Sequence, residues 1–206
     1  MSFSDKLAAA KAAPRKHEDV DVLLDGDLAE MRADLQASLD DVKRRSDGDQ
    51  RLAGGADPEA ADLQDKLDAL IAESRDSIVT LRFFRLPGEA WANIQSHCPA
   101  RLGVPMESDP TFGYGYNMQQ AAKLAAAYTD QQGQIFAGRV EGDEVLPLRY
   151  VAPTKDNAGI NEWDDLFSVI SGAEQSRIES AVYSLNVAEP ATNLLALKKK
   201  LGLPLD

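Results

Sequence analysis

The sequence predicts a mainly helical protein with a minor β component (α+β). We expect an N-terminal antiparallel helical hairpin flanked by two short paired strands, then a small multi-helix domain with a candidate β-hairpin. Two apolar stripes with spacings of three and four residues lie on either side of a Gly/Asp-rich break, which is typical of paired amphipathic helices. Short stretches with alternating or β-branched residues lie before and after those stripes, and such stretches favour strands.

Three parts follow from this pattern. Residues 1–17 are expected to be a flexible N-terminal segment, in which alanine-rich residues 3–13 can form a short helix that Pro14 ends. Residues 18–85 form a strand–hairpin–strand arm. Residues 86–206 form a helical domain with the β-hairpin near residues 134–151.

The arm begins with a strand and a long helix. Val20, Val22 and Leu24 stand at alternate positions of HEDVDVLL, which is the period of a strand. Asp25-Gly26-Asp27 supplies a turn, with Asp27 as the expected N-cap of a helix that reaches about Arg45. The inward stripe of this helix is expected to be Leu28, Met31, Leu35, Leu39 and Val42.

A second helix and a second strand complete the arm. Asp57-Pro58-Glu59 is typical of an N-cap, a proline at the first helical position and a first-turn acid. The inward stripe of this helix is expected to be Leu63, Leu67, Leu70 and Ile71. The two helices are expected to pair with each other; the alternative is that each pairs with another protein. Residues 76–85 are rich in β-branched and aromatic residues, and we expect this strand to pair with residues 19–24.

The helical domain begins at Leu86-Pro87-Gly88-Glu89, which introduces a helix with Trp91 and Ile94 inward, ended by Pro99. Asn117 is the expected N-cap of a helix reaching Tyr128. The inward residues of that helix are expected to be Met118, Ala121, Ala122, Leu124 and Ala125. Three final helices are expected at about residues 160–171, 173–186 and 191–201. Their inward residues are expected to include Trp163, Leu166, Phe167, Ile170, Ile178, Val182 and Leu185.

Charge excludes some classes of partner. The net charge is −12, and the stretch from Glu18 to Asp62 holds 14 acidic and five basic residues. Such an arm repels nucleic-acid phosphates, so we expect no nucleic-acid partner. Two roles for the acidic arm are open: it can keep the protein soluble, or it can attract a basic partner. The chain has no apolar run of membrane-spanning length, so we expect no membrane partner. Its single cysteine is consistent with a reducing compartment.

The residue types of catalytic and metal sites do not occur in usable patterns. Ser96, His97 and Cys98 are adjacent, and adjacent residues of a helix point in different directions. The glycines of TFGYGYNM match neither the G-x-G-x-x-G motif of dinucleotide-binding proteins nor the G-x-x-x-x-G-K-S/T phosphate-binding loop. We therefore expect no enzyme, no cofactor and no metal. His97 and Cys98 are better interpreted as a polar contact and a small core residue.

Short motifs carry a family resemblance over residues 18–188. Leu86, Pro87, Trp91, His97, Pro99 and Arg101 match a first motif, from which Cys98 and Ala100 depart because one proline is expected there. Gly115, Tyr116 and Asn117 match a second motif, and Trp163, Leu166, Leu185 and Asn186 match a third. In these motifs the chain resembles the tail assembly chaperones of long-tailed, siphovirus-type bacteriophages and prophages of actinobacteria.

The resemblance implies a non-catalytic assembly factor of the host cytoplasm that is absent from the mature virion. Such proteins coat and solubilise the tape measure protein and are displaced as tail-tube subunits polymerise. The implied partners are the tape measure protein, the tail-tube protein and further copies of the chain along the client. Two other functions are open: a structural minor tail or neck protein of the virion, and a helical scaffold unrelated to phages.

Six residues are candidates for binding a partner, provided that their side chains are exposed. They are Trp91, His97, Arg101, Tyr114, Tyr116 and Asn117. An alternative role for Trp91 is that of the main core anchor, since aromatic side chains usually fill cores.

Overall fold

The computed structural model describes residues 2–48, 58–100, 115–151 and 159–201. Within these ranges the chain is mainly helical with an antiparallel four-stranded sheet, which confirms the predicted fold class. The helices are α1 (Phe3–Ala12), α2 (Gly26–Gly48), α3 (Pro58–Glu73), α4 (Gly88–Ser96), α5 (Met118–Ala126), α6 (Glu162–Val169), α7 (Gly172–Tyr183) and α8 (Glu189–Leu201). The strands are β1 (His17–Leu23), β2 (Ile78–Phe84), β3 (Ala137–Glu141), β4 (Glu144–Leu146), β5 (Tyr150–Val151) and β6 (Ile160–Asn161). None of the described helices is both long enough and apolar enough to cross a membrane.

The chain divides into two compact units. Unit 1 comprises Met1–Val20, Arg82–Pro147 and Glu179–Asp206, and unit 2 comprises Asp21–Leu81 and Leu148–Ile178. Neither unit coincides with the arm at residues 18–85 or the domain at residues 86–206, because β1, β2 and α7 each pass from one unit into the other. Residues 1–17, expected to be a flexible segment, contain α1, which begins with a capping box between Ser2 and Asp5.

Strands β1 and β2 are neighbours in the sheet, whose order is β1-β2-β3-β4. In unit 1 the Arg85 N–H donates to the Lys16 carbonyl at 2.9 Å, and in unit 2 the Leu24 N–H donates to the Ser77 carbonyl at 2.9 Å. From the first of these bonds to the second, the residue number rises from 16 to 24 along β1 and falls from 85 to 77 along β2, so the pairing is antiparallel. The predicted pairing of these strands, with the helical hairpin inserted between them, is confirmed.

Helices α2 and α3 of unit 2 pack against each other. Arg45 Nη2 lies 3.9 Å from Glu59 Oε1, so the end of α2 lies beside the start of α3 and the helices are antiparallel, as predicted. Helix α3 begins at Pro58 as expected, and the predicted N-cap Asp57 lies outside the described residues. The buried residues of the two stripes are Leu39, Val42, Leu67 and Leu70.

Two expectations for this hairpin were wrong. The N-cap of α2 is Asp25, because its Oδ1 accepts the N–H groups of Asp27 and Leu28 at 3.1 and 3.2 Å. The side chains of Met31 and Ile71, expected inward, are 54% and 39% exposed. Residues Ala29 and Arg32 are buried instead, so the side of α2 that is buried at its start differs from the side that is buried near its end.

The predicted β-hairpin is formed by β3 and β4 of unit 1, which pair antiparallel through Arg139↔Leu146 and Glu141↔Glu144. Gly142 in the turn has a φ of 61°, which glycine adopts without strain. Gly138 is needed for a different reason, since a Cβ there would clash with the Leu146 carbonyl oxygen.

The C-terminal helices follow the predicted order with shifted boundaries. Helix α6 begins two residues later than expected, because residues 160–161 form β6, which pairs with β5 in unit 2. In unit 1, a π-helical turn at Ser184–Ala188 separates α7 from α8. Leu124 of α5 was wrongly expected inward: it is 39% exposed, and Ala126 is buried instead.

Candidate partner-binding residues and the motif cluster

Trp91 lies on the buried side of α4. Helix α4 begins directly after Pro87, whose fixed φ suits the start of a helix. The Trp91 side chain is 6% exposed, and its ring meets the Tyr116 ring edge-on, with centroids 6.0 Å apart at 82°. This geometry is favourable for aromatic pairs in a core. Trp91 and Tyr116 are therefore placed as core residues of unit 1, not as an exposed contact surface.

The segment after α4 is joined to the start of α5. The Cys98 carbonyl accepts the Asn117 N–H at 2.9 Å, and Pro99 forms an isolated β-bridge with Tyr116. The Cys98 side chain is fully buried, and burial raises the pKa of its thiol. A thiol with a raised pKa is a poor nucleophile and a poor metal ligand at neutral pH, so Cys98 has a packing role.

Asn117 is the N-cap of α5, as predicted. Its Oδ1 accepts the Gln120 N–H at 3.2 Å, and its side chain is half-buried. Because both the side-chain oxygen and the backbone N–H have partners within unit 1, the role of Asn117 is to start α5.

His97 follows the last turn of α4 and is exposed. Its Nδ1 lies 2.8 Å from the Asn93 carbonyl oxygen and 3.3 Å from Ser96 Oγ. Of the candidates that the structure describes, His97 alone has an exposed side chain. Arg101 and Tyr114 lie outside the described residues, so the structure brings together Trp91, Tyr116 and Asn117 and leaves His97 on the surface.

A contact across 100 residues of sequence joins the first motif to the third. The Leu86 N–H donates to Asn186 Oδ1 at 2.9 Å, and Asn186 Nδ2 donates to the Val182 carbonyl at 2.8 Å. Asn186 lies in the π-helical turn, beside the fully buried Leu185. We call the set Leu86, Trp91, Cys98, Tyr116, Asn117 and Asn186 the motif cluster. All of it belongs to unit 1.

A carboxylate at the start of β1 lies close to this π-helical turn. Burial raises the pKa of Glu18, and the nearby negative charge of Glu189 raises it further, while a hydrogen bond with Ser184 opposes the shift. Glu189 itself is paired with Lys16 Nζ at 2.9 Å. The ionised form of Glu18 is therefore disfavoured in unit 1, first by burial and then by the charge of Glu189.

Unit 2 contains an ionic network that the sequence pattern did not indicate. Glu174 is 1% exposed; it is paired with Arg32 and, at 3.2 Å, with Arg177. Both arginines also donate to the Asp21 carbonyl, and the Leu23 N–H donates to Glu174 Oε2 at 3.4 Å. These Asp21 and Leu23 groups lie at the end of β1, so the network satisfies backbone groups of a strand that is at the edge of the sheet.

No signal in the sequence could have found this network. Glu174 stands in the first turn of α7, where acidic residues are common because of the helix dipole. Arg32 lies 142 residues away on a helix rich in exposed charges.

Among the described residues, no group of three or more His, Cys, Asp or Glu side chains could hold a metal ion.

Comparison of the chain with protein-family models, with curated proteins and with solved structures gives no match.

Proposed function

We propose that this protein is a phage tail assembly chaperone that binds and solubilises the tape measure protein before the tail tube polymerises, without catalysis. The proposal rests on one observation above others. Residues of three short motifs, far apart in sequence, meet in the motif cluster: the Leu86 N–H donates to Asn186 at 2.9 Å, and the rings of Trp91 and Tyr116 are 6.0 Å apart. Contacts between these residues are what a shared fold signature predicts, and they support the resemblance.

The surface of the helical hairpin suits a solubilising role. Helices α2 and α3 together carry 11 acidic and five basic residues. An excess of one charge keeps protein surfaces apart and soluble. Copies of such a chain along a long helical client would therefore carry charge onto an otherwise aggregating protein.

Binding of such a client does not require a deep pocket. Many weak contacts repeated along a filament give a high total affinity, because each later contact is made at a high effective concentration. This expectation includes contacts between neighbouring copies of the chain and displacement by the tail-tube protein.

Co-expression tests the proposal directly. The chain is produced together with the tape measure protein, which the proposal expects to be encoded immediately downstream, and the soluble fraction is compared with that of the client alone. The proposal predicts that the client becomes soluble and co-purifies with the chain. A client that stays equally insoluble, with the chain present in the soluble fraction at high concentration, contradicts it.

The protein composition of purified virions tests whether the chain is absent from the finished particle, as an assembly role requires. Quantitative mass spectrometry of purified virions is expected to find the tape measure and tube proteins and not this chain. Its presence at a fixed stoichiometry would contradict an assembly role and would favour a minor tail or neck protein.

A further inference from the structure

The first turns of α2 carry an apolar side chain that the hairpin leaves uncovered. Arg45 lies beside Glu59, and both helices rise by about 1.5 Å per residue. Counting the same number of residues back from Arg45 and forward from Glu59 therefore pairs Met31 with Glu73, the last residue of α3. Helix α3 ends where Met31 lies, so Met31 is 54% exposed although it belongs to the apolar stripe.

Half-buried leucines extend this uncovered patch. Leu28 and Leu35 lie three residues before and four residues after Met31, so all three side chains share one side of the helix. Methionine is unbranched and flexible, which lets it adapt to partner surfaces of different shape.

Acidic side chains border the patch. Asp27, Glu30 and Asp34 are exposed, and none of the three carboxylates has an ion-pair partner among the described residues. The lone basic residue in this part of α2, Arg32, is turned inward and held by Glu174 and the Asp21 carbonyl. The surface around Met31 is therefore apolar at its centre and negatively charged at its border.

The opposite end of the hairpin differs. There Asp41 lies 3.5 Å from Arg44 and 3.9 Å from Arg45, and Asp62 lies 2.7 Å from Lys66. Asp41 and Asp62 therefore already have basic partners, which a basic ligand would have to displace.

We propose that Asp27, Leu28, Glu30, Met31, Asp34 and Leu35, the α2 docking face, bind an amphipathic helix whose apolar stripe is flanked by Lys or Arg. Charge complementarity selects this occupant, since a partner with acidic flanks would meet three unpaired carboxylates of like charge. The inference deepens the proposed function by naming the segment type of the client, and it rests on that function for the identity of the client.

A designed peptide tests the docking face without the client. The probe is a synthetic helix of about three heptads with Leu at the a and d positions and Lys beside them, with a matched peptide carrying Glu in place of Lys. The Lys peptide is expected to bind the full chain and the Glu peptide at least about tenfold more weakly, a difference that shrinks as salt screens the charges. Equal affinities for the two peptides, or no binding of either, would overturn the inference.

Matched variants locate the binding. Met31→Gln is expected to weaken the Lys peptide about tenfold, the effect of losing a central apolar contact. Its control is Val169→Gln, which removes a side chain of similar exposure, 59%, from α6. The triple variant D27N/E30Q/D34N is expected to weaken binding roughly three- to tenfold and to reduce its salt dependence. Its control, D62N/D65N/D68N, makes the same charge change on α3.

Controls that weaken binding as much as the docking-face variants would overturn the inference. Thermal midpoints within a few degrees of the parent verify that each variant is folded, as expected for exposed positions.

Co-expression with the client separates this inference from the proposed function. If the parent chain and the docking-face variants solubilise the client equally, the docking face is wrong and the proposed function stands. If no chain solubilises the client while the peptide results hold, the proposed function fails and the docking face stands.

Discussion

The motif cluster of unit 1 and the α2 docking face of unit 2 are opposite in composition and in exposure. The motif cluster contains rare residue types, among them one of two tryptophans and the single cysteine. Its polar groups are largely used inside the unit, as with Asn186 and the Leu86 N–H. The docking face consists of aliphatic and acidic residues, Leu, Met, Asp and Glu, with exposed carboxylates.

The two regions differ in how much apolar area and charge remain available for binding a partner. A buried Trp91 at 6% exposure and an N-cap such as Asn117 have already contributed to folding. An exposed Met31 beside unpaired carboxylates has apolar area and charge left to contribute on binding. Buried aromatic and helix-capping residues therefore mark the fold of this chain, and exposed apolar and acidic residues mark its candidate interface.

Trp91→Ala is expected to have the largest effect of the substitutions that test this difference. If Trp91 is a core anchor, the substitution lowers the free energy of unfolding by about 3–5 kcal/mol, measured by urea denaturation. Trp91→Phe serves as control and should retain a larger part of the stability, because it keeps an aromatic ring beside Tyr116. A Trp91→Ala chain of parental stability that no longer binds its client would place the interface in the motif cluster and contradict the account.

Glu174→Ala tests the network that keeps Arg32 away from the docking face. Removing the carboxylate of a buried ionic network costs about 3–5 kcal/mol, because the buried charge of Arg32 would keep only the Asp21 carbonyl as a partner. Arg32 and Arg177 would both lose a carboxylate. The double variant R32M/E174L removes both buried charges, and its unfolding free energy should recover much of the loss. A double variant as unstable as Glu174→Ala would show that the charges themselves are not the reason.

The pH dependence of Glu18→Gln has a smaller expected effect. The folded chain raises the pKa of Glu18 by burial and by the charge of Glu189. A raised pKa means that the folded state binds the proton more tightly, so the ionised form costs stability as pH rises through the folded pKa. Glu18→Gln should therefore stabilise the chain at pH 7 by about 0.5 kcal/mol, because much of the side chain is solvated.

The same measurement at low pH is the control for Glu18. Below the ordinary glutamate value of 4.5, Glu18 is protonated in both states and the gain should vanish. A gain that is independent of pH would assign the effect to something other than ionisation.

His97→Ala is expected to have the smallest effect. The side chain is exposed, and exposed substitutions usually change stability by less than about 0.5 kcal/mol. If the docking face is correct, client solubility in co-expression should also stay at the parental level. Loss of client solubility with unchanged stability would move the interface to the end of α4.

Much of the fold was predictable because helix periodicity and capping are local. The stripes at Leu39, Val42, Leu67 and Leu70, the cap at Asn117 and the hairpin of β3 and β4 are all as expected. Met31 was mispredicted because a stripe indicates one side of a helix but not where the neighbouring helix ends. Asp25 and not Asp27 is the N-cap because both positions carry the same side chain and the helix begins two residues earlier than expected.

The candidate site was less predictable than the fold. Trp91 and Tyr116 were candidates because they match the motifs, but only their burial separates a core role from a binding role. The pairing of Arg32 with Glu174 depends on tertiary structure alone, because each residue by itself matches an exposed charge on a helix. Strands β5 and β6 have two residues each, too few for any periodic signal.

Amide hydrogen exchange is the most decisive measurement, made on the chain alone and on the chain co-purified with the proposed tape measure client. The account predicts slower exchange of α2 amides from Asp27 to Leu35 in the complex, because the docked helix covers them and suppresses local opening. Amides of α4, from Gly88 to Ser96, should be unchanged, because that helix belongs to the core of unit 1. Protection at α4 with no change in α2 would contradict the account.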